Sequence, residues 1–342
     1  MKHIAATHLI ALAGVGVFFV LNLPLPWLLG PILACLVAAL AGVPLRGIAS
    51  LNNLMRSILG VAVGATFTVT LVVTMAGMWT TLILVPLMVL LIGLVGVPYF
   101  QRLWGFDFAT SYYGAMPGGL QDMLLFGQEA GGDVRALSLI HATRVLVIVA
   151  ALPFVLEWTW GADLGNPPGA PAASLPLSQL FLMAFCGVAG WQIAKAVGLF
   201  GASILGPMIL AGALALLGIL QYRPPAEAIW MAQFFIGMTV GTKYAGVTGA
   251  EVRRDVAAAL GFCLILLVLA GVFVEAIYLF ALAPPMETLL AFAPGGQAEM
   301  TVLALIVGAD MAFVIAHHVL RILVVILCAP IAARLFSARP RG

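Results

Sequence analysis

Charge is what this sequence has least of. Only 8% of its 342 residues are Asp, Glu, Lys or Arg, and 63% are hydrophobic. Soluble globular chains carry about 25% charged residues, so too little polar surface exists here to face water all round. The formal net charge is +2 and no run of basic residues is present, which leaves nothing to grip a nucleic acid. Four cysteines (Cys35, Cys186, Cys263, Cys328) lie in apolar stretches without a C-x-x-C pair. They are expected to be buried, unpaired thiols. Histidines are few and badly spaced for a metal. His317 and His318 are adjacent, so their rings point to different faces, and His3 and His8 lie near the start. No metal site, cofactor or catalytic residue is expected, and the chain reads as a non-enzyme.

What the sequence has is apolar length. Crossing the hydrocarbon takes about 20 apolar residues per helix. Runs at 4–21, 26–43, 54–75, 79–98 and 134–156, then 178–198, 202–220, 227–246, 256–282 and 311–333, fit ten crossings. Met1-Lys2-His3 and the run behind it resemble a signal peptide, but no cleavage site and polar mature region follow, so this is read as the first membrane helix. The 37 glycines and 20 prolines are tolerated in membrane helices, where glycine lets helices approach closely. Lys and Arg favour the cytoplasmic side. With the N-terminus inside, Lys2, Arg46, Arg56, Arg102, Lys243, Arg253, Arg254, Arg334, Arg339 and Arg341 all fall at cytoplasmic ends, and of the loop residues only Arg223 falls outside. The linker 158–177 has no Lys or Arg and belongs outside, with Trp79, Trp158 and Trp160 at the outer interface. The expected location is the cell inner (plasma) membrane, multi-pass, with both termini cytoplasmic.

The two halves match each other. Gly30-Pro31 aligns with Gly206-Pro207, Gly60 and Gly64 with Gly237 and Gly241, and AMPGGLQDM (115–123) with FAPGGQAEM (292–300). At that offset of 177, Asp133 falls on Asp310, His141 on His318, Arg144 on Arg321 and Pro153 on Pro330; from Pro117 to Pro153, 11 of 37 positions are identical. The expected fold is an all-α polytopic membrane protein with two tandem repeats, 1–157 and 178–335, a linker 158–177 and a cytoplasmic tail 336–342. Five crossings per half is an odd number, so the second repeat is inserted upside down. Each repeat then carries one re-entrant segment (106–132 and 285–309) broken by Pro-Gly-Gly. Counting those segments as full crossings would put the linker in the cytoplasm, against the charge rule.

Odd-numbered inverted repeats are a transporter signature, with a site near the midplane formed by broken helices. Irregular backbone at membrane depth is tolerated only where it is buried in protein or lines a cavity. Pro117-Gly118-Gly119 and Pro294-Gly295-Gly296 are therefore candidate substrate-binding residues, because a half-helix N-terminus attracts an anion. The bland alternative is a surface turn. Asp122 and Glu299 follow five residues after the prolines and join the candidate site; they could instead satisfy early helix amides. Arg144 and Arg321 complete it. A charge in mid-bilayer is costly unless paired or hydrated, and either a substrate anion or a structural ion pair with Asp122 or Glu299 would meet that need. His141 and His318, one turn earlier, are candidate proton-coupling residues or hydrogen-bonded packing residues. Asp133 and Asp310 read as helix caps, and the paired glycines as close-packing points. Lys195 reads as snorkelling to an interface. Glu275 has no assigned role.

The two Gly-Pro segments, the MPGG and APGG stretches with Met123 and Met300, and the paired Asp-x7-His-x2-Arg helices resemble the membrane-bound AbrB family, over nearly the whole chain. The resemblance implies a duplicated membrane domain; members are often labelled putative ammonia monooxygenase or regulator of gene expression. The residues themselves supply neither copper ligands nor a DNA-reading module. The expected function is secondary transport of a small anionic solute, coupled to protons or sodium. The alternatives are a membrane sensor acting indirectly on gene expression and, less supported, a copper oxidase. The expected partners are the lipid bilayer and a small-molecule solute, with no nucleic acid; a homo-oligomer is left open.

Overall fold

The computed structural model describes residues 2–67, 77–164, 167–199 and 201–337. Part of the third expected span (68–75), Arg339 and Arg341 lie outside these residues. Every regular element among them is helical. In chain order the main helices are α1 (Lys2–Val20), α2 (Pro26–Leu40), α3 (Ala49–Gly64), α4 (Leu84–Pro98), α5 (Phe108–Ala115), α6 (Leu120–Glu129) and α7 (Val134–Trp160). They are followed by α8 (Leu177–Ala196), α9 (Ala202–Leu216), α10 (Ala226–Gly241), α11 (Ala257–Leu279), α12 (Pro285–Phe292), α13 (Gln297–Ile306) and α14 (Met311–Ser337). Five helices of the first seven recur with unchanged length: α2 and α9 have 15 residues, α3 and α10 have 16, α5 and α12 have 8, α6 and α13 have 10, and α7 and α14 have 27.

Six helical stretches among the described residues are long and apolar enough to cross a membrane: His3–Val20, Trp79–Leu103, Val134–Trp160, Leu177–Ala196, Gly249–Leu279 and Met311–Ala333. This is the make-up of a multi-pass membrane protein. Two of the other expected crossings, 26–43 and 202–220, are shorter than the sequence suggests. At 1.5 Å per residue, 15 residues rise only about 22 Å, against about 30 Å of hydrocarbon. The cause is local. Gly42 (φ 84°) and Gly218 (φ 72°) adopt the left-handed conformation just past α2 and α9. The next amides fold back, Val43 N–H to Ala38 O and Ile219 N–H to Leu214 O, both 2.9–3.0 Å. That glycine-terminated stop ends each helix although the apolar run continues.

The chain divides into two compact units, each drawing on both halves of the sequence. The first holds Met1–Gly77, Ala150–Gly246 and Gln297–Ala312. Its helices touch through bare backbone. Gly14 on α1 faces Gly30 on α2, and a Cβ on Gly30 would lie 2.7 Å from the Gly14 carbonyl oxygen. Gly190 on α8 and Gly206 on α9 meet the same way. Gly60 and Gly64 sit against the α9 backbone at Ile204 and Met208, and Gly237 and Gly241 against α2 at Leu28 and Ile32. These small-xxx-small pairs are close-packing points. The second unit holds Met78–Val149, Val247–Gly296 and Phe313–Gly342. One of its cores joins Tyr112, Tyr113 and Met116 of α5 to Met123, Leu137, Val325 and Ala329.

Asp133 and Asp310 cap α7 and α14. The Asp133 carboxylate accepts from the Arg135 and Ala136 amides at 2.9 and 3.1 Å, and the Asp310 carboxylate accepts from the Ala312 amide at 3.0 Å. All four thiols are free; Cys35, Cys186 and Cys263 are buried, but Cys328 is exposed, because it falls on the outward face of α14. Glu275 and Lys195 are exposed, as are Trp79 and Trp158.

Candidate functional site

In the second unit, α5 ends where Pro117 follows. Proline restricts the residue before it to extended backbone, and Met116 has φ −61°, ψ 130°. The chain restarts as α6 after Gly119, which is also extended at φ −66°, ψ 140°. Alanine-293 ends α12 in the same way at φ −59°, ψ 128°. The Pro-Gly-Gly glycines are therefore not needed for a left-handed turn. At Gly118 they are needed for room: a Cβ would lie 2.7–2.9 Å from Met123 and Val325 side-chain atoms.

A helix ending inside protein leaves its last carbonyls without partners. Here α7 supplies them. His141 Nε2 lies 3.0 Å from Tyr113 O, and Arg144 donates through Nη1 to Met116 O (3.0 Å) and through Nη2 to Gly118 O (3.1 Å). Since a carbonyl can only accept, His141 donates through Nε2–H. Residues 141 and 144 share one face of α7 and reach successive carbonyls at the end of α5. The same set recurs 177 residues later. His318 Nε2 bonds to Leu290 O at 2.9 Å, and Arg321 donates to Ala293 O (2.8 Å) and Gly295 O (2.9 Å). A cation at a helix C-terminus also meets the negative end of its dipole, so the arginines clasp both breaks.

The four side chains are almost sealed: His141 is 0% exposed, Arg144 3%, His318 1% and Arg321 2%. Each arginine keeps its Nε, and each histidine its Nδ1, without a partner. Among the described residues neither guanidinium is ion-paired, whereas Arg135 pairs with Glu251 at 2.7 Å. The structural ion pair with Asp122 that the sequence left open as an alternative does not form within this unit; the break carbonyls hold the guanidiniums instead. Arg321 nevertheless feels the charge of Arg144, so two like charges share this unit.

Asp122 and Glu299 occupy the third position of α6 and α13, where a carboxylate complements the positive end of the helix dipole. Asp122 is half-buried within the second unit. Glu299 is 4% exposed and belongs to the first unit. His317, next to His318, turns elsewhere: Nδ1 donates to Phe313 O (2.7 Å) and Nε2 lies 3.0 Å from Thr81 Oγ1.

Sequence reasoning found the arginines and histidines but not their targets. The signal was available, since each arginine follows its break glycine by 26 residues and its second carbonyl partner by 28 in both halves. Tyr112, whose hydroxyl donates to Ala329 O at 3.0 Å, carried no such signal.

Six membrane-length apolar helices and two arginine-clasped helix breaks define a helical, multi-pass membrane protein. The family model described as "Transition state regulatory protein AbrB" matches residues 27–337, and the chain belongs to the AbrB family. Two relatives align along most of their length. One is "Uncharacterized protein YhjN" of Bacillus subtilis (strain 168), 27% identical over 94% of this chain and 90% of that protein. The other is "Putative regulator AbrB" of Escherichia coli (strain K12), 27% identical over 94% of this chain and 92% of that protein.

Proposed function

We propose that this chain is a secondary transporter of a small anionic solute, built as two inverted-topology repeats with re-entrant Pro-Gly-Gly segments, in the inner membrane with both termini cytoplasmic. The observation that carries this reading is the pair of buried guanidiniums without a carboxylate partner. Carbonyl dipoles spread such a charge but do not neutralise it, and an uncompensated charge in the bilayer is costly. A bound anion would supply the missing counter-charge. Pro117–Gly119 and Pro294–Gly296, with Asp122, Arg144 and Arg321, form the proposed site. The unpartnered Nδ1 atoms of His141 and His318 are the proposed proton acceptors for coupling to a proton gradient; sodium is the other candidate ion.

The reading is tested by melting the purified protein against a panel of small carboxylates and their uncharged amides. Ligand at 100 times its Kd stabilises by about 2.7 kcal/mol. Carboxylates are expected to raise the melting temperature and amides to leave it unchanged. Equal shifts from acid and amide would contradict an anion site. A second reading, a membrane sensor acting on gene expression through a partner, is favoured by the name of the Escherichia coli relative. A regulatory protein that co-purifies stably with the chain would support it.

A further inference from the structure

A basic cluster in the first unit takes no part in the clasped breaks. Its three cations come from separate stretches of chain: Arg46 follows α2, Arg56 lies on α3 and Lys243 follows α10. The Arg46 amide donates to Thr7 Oγ1 at 2.9 Å, and Thr7 is fully buried, so the backbone here is fixed. The next residue, Gly47, runs beside Thr242, since a Cβ on it would lie 3.8 Å from Thr242 Oγ1. Lys243 comes directly after, and the charge of Arg56 acts on it. Arg56 Nε is buried without a hydrogen-bond partner, and so is Asn52 Oδ1. Asn52 stands four residues before Arg56 on the same face of α3.

The unmet groups define what would bind. Two cations held close together repel, and among the described residues no carboxylate pairs with either. A buried donor and a buried acceptor left unbonded are each unfavourable. A phosphate answers the first need, because its oxygens take charge-assisted bonds from both Arg and Lys. A hydroxyl on the same molecule answers the second by donating to Asn52. The proposed orientation puts all three cations at the cytoplasmic face of the membrane, where basic clusters between helices collect anionic headgroups.

We propose that Asn52, Arg56 and Lys243, with Arg46 at the edge, bind a phosphate ester that carries a hydroxyl. Arg56 Nε and Lys243 Nζ donate to phosphate oxygens, and the hydroxyl of the ester donates to Asn52 Oδ1. The ester arrives as the headgroup of a lipid such as phosphatidylglycerol or as free glycerol phosphate. The site is separate from the arginine-clasped breaks, and binding here stands or falls independently of anion transport.

The test is equilibrium binding of tail-labelled phosphatidylglycerol to the full chain in neutral detergent. Two comparators are used: phosphatidylcholine, whose headgroup has no net charge, and phosphatidylmethanol, an anionic phosphodiester without headgroup hydroxyls. Phosphatidylglycerol is expected to bind about ten-fold or more tighter than phosphatidylcholine, with phosphatidylmethanol between them. The Arg56→Gln, Lys243→Gln double variant should lose that preference. Arg223→Gln, at an exposed basic residue elsewhere in the same unit, should keep phosphatidylglycerol within about two-fold, because exposed charges at a distance are screened. Asn52→Leu should reduce phosphatidylglycerol to the affinity of phosphatidylmethanol and leave phosphatidylmethanol within about two-fold, which also shows that the variant is folded. Displacement of the lipid by glycerol phosphate would show that the free ester is taken, whereas no displacement would identify the lipid headgroup as the occupant; both support the assignment. Phosphatidylcholine binding as tightly as phosphatidylglycerol, a double variant that keeps the preference, or an Asn52→Leu variant that still favours phosphatidylglycerol over phosphatidylmethanol would overturn it.

Discussion

Alanine at Arg144 or at Arg321 is expected to abolish anion uptake and to destabilise the protein by about 3–6 kcal/mol, since each guanidinium makes two charge-assisted hydrogen bonds worth about 1.5–3 kcal/mol apiece. The loss falls on named atoms. Without Arg144 the carbonyls of Met116 and Gly118 have no donor, and without Arg321 those of Ala293 and Gly295 have none. Lysine separates the structural role from the binding role. It keeps the charge but lacks the planar fork, so it can satisfy one carbonyl and not hold both while facing a solute. Arg144→Lys and Arg321→Lys should regain part of the lost melting temperature and none of the uptake. Lysine variants that transport like the wild type would show that the arginines only clasp the breaks.

Gly14→Leu is expected to cost about 3 kcal/mol or more, or to prevent folding, because overpacking against immovable atoms exceeds the usual 1–3 kcal/mol of a crowded core. Its Cβ would meet the Gly30 carbonyl and Ala34, backbone that can yield only by separating α1 from α2. Gly16, two residues on in the same helix, has nothing within 4 Å of its Cβ position. Gly16→Leu is therefore the control, with stability near that of the wild type. Melting of both variants in detergent, alongside expression level, checks the contrast. Equal melting of the two would mean that α1 and α2 do not touch through Gly14.

The sequence announced more of this architecture than of its chemistry. The offset of 177 was legible because rare residues in an apolar chain, such as Asp133, His141 and Arg144, stand out against their background. The equal lengths of α5 and α12, and of α6 and α13, follow from the same prolines and glycines. The lengths of α2 and α9 were not legible, because Gly42 and Gly218 stop each helix by conformation while hydropathy carries on. For the site, position gave the arginines but not their partners. An arginine in an apolar helix announces a need for negative charge, and sequence suggested carboxylates because they are visible as letters. The structure satisfies part of that need with backbone carbonyls, which every residue has and no letter marks.

The central claim is that the clasped breaks carry an anion across the membrane. It is tested most directly by uptake of labelled small carboxylates into proteoliposomes of the purified chain under an imposed proton or sodium gradient. The account predicts saturable, gradient-driven uptake of a carboxylate and none of its uncharged amide, with uptake lost in the Arg321→Lys variant while that protein remains folded. Uptake of the amide as fast as the acid, or no gradient-dependent uptake of any carboxylate by protein that melts normally, would contradict it.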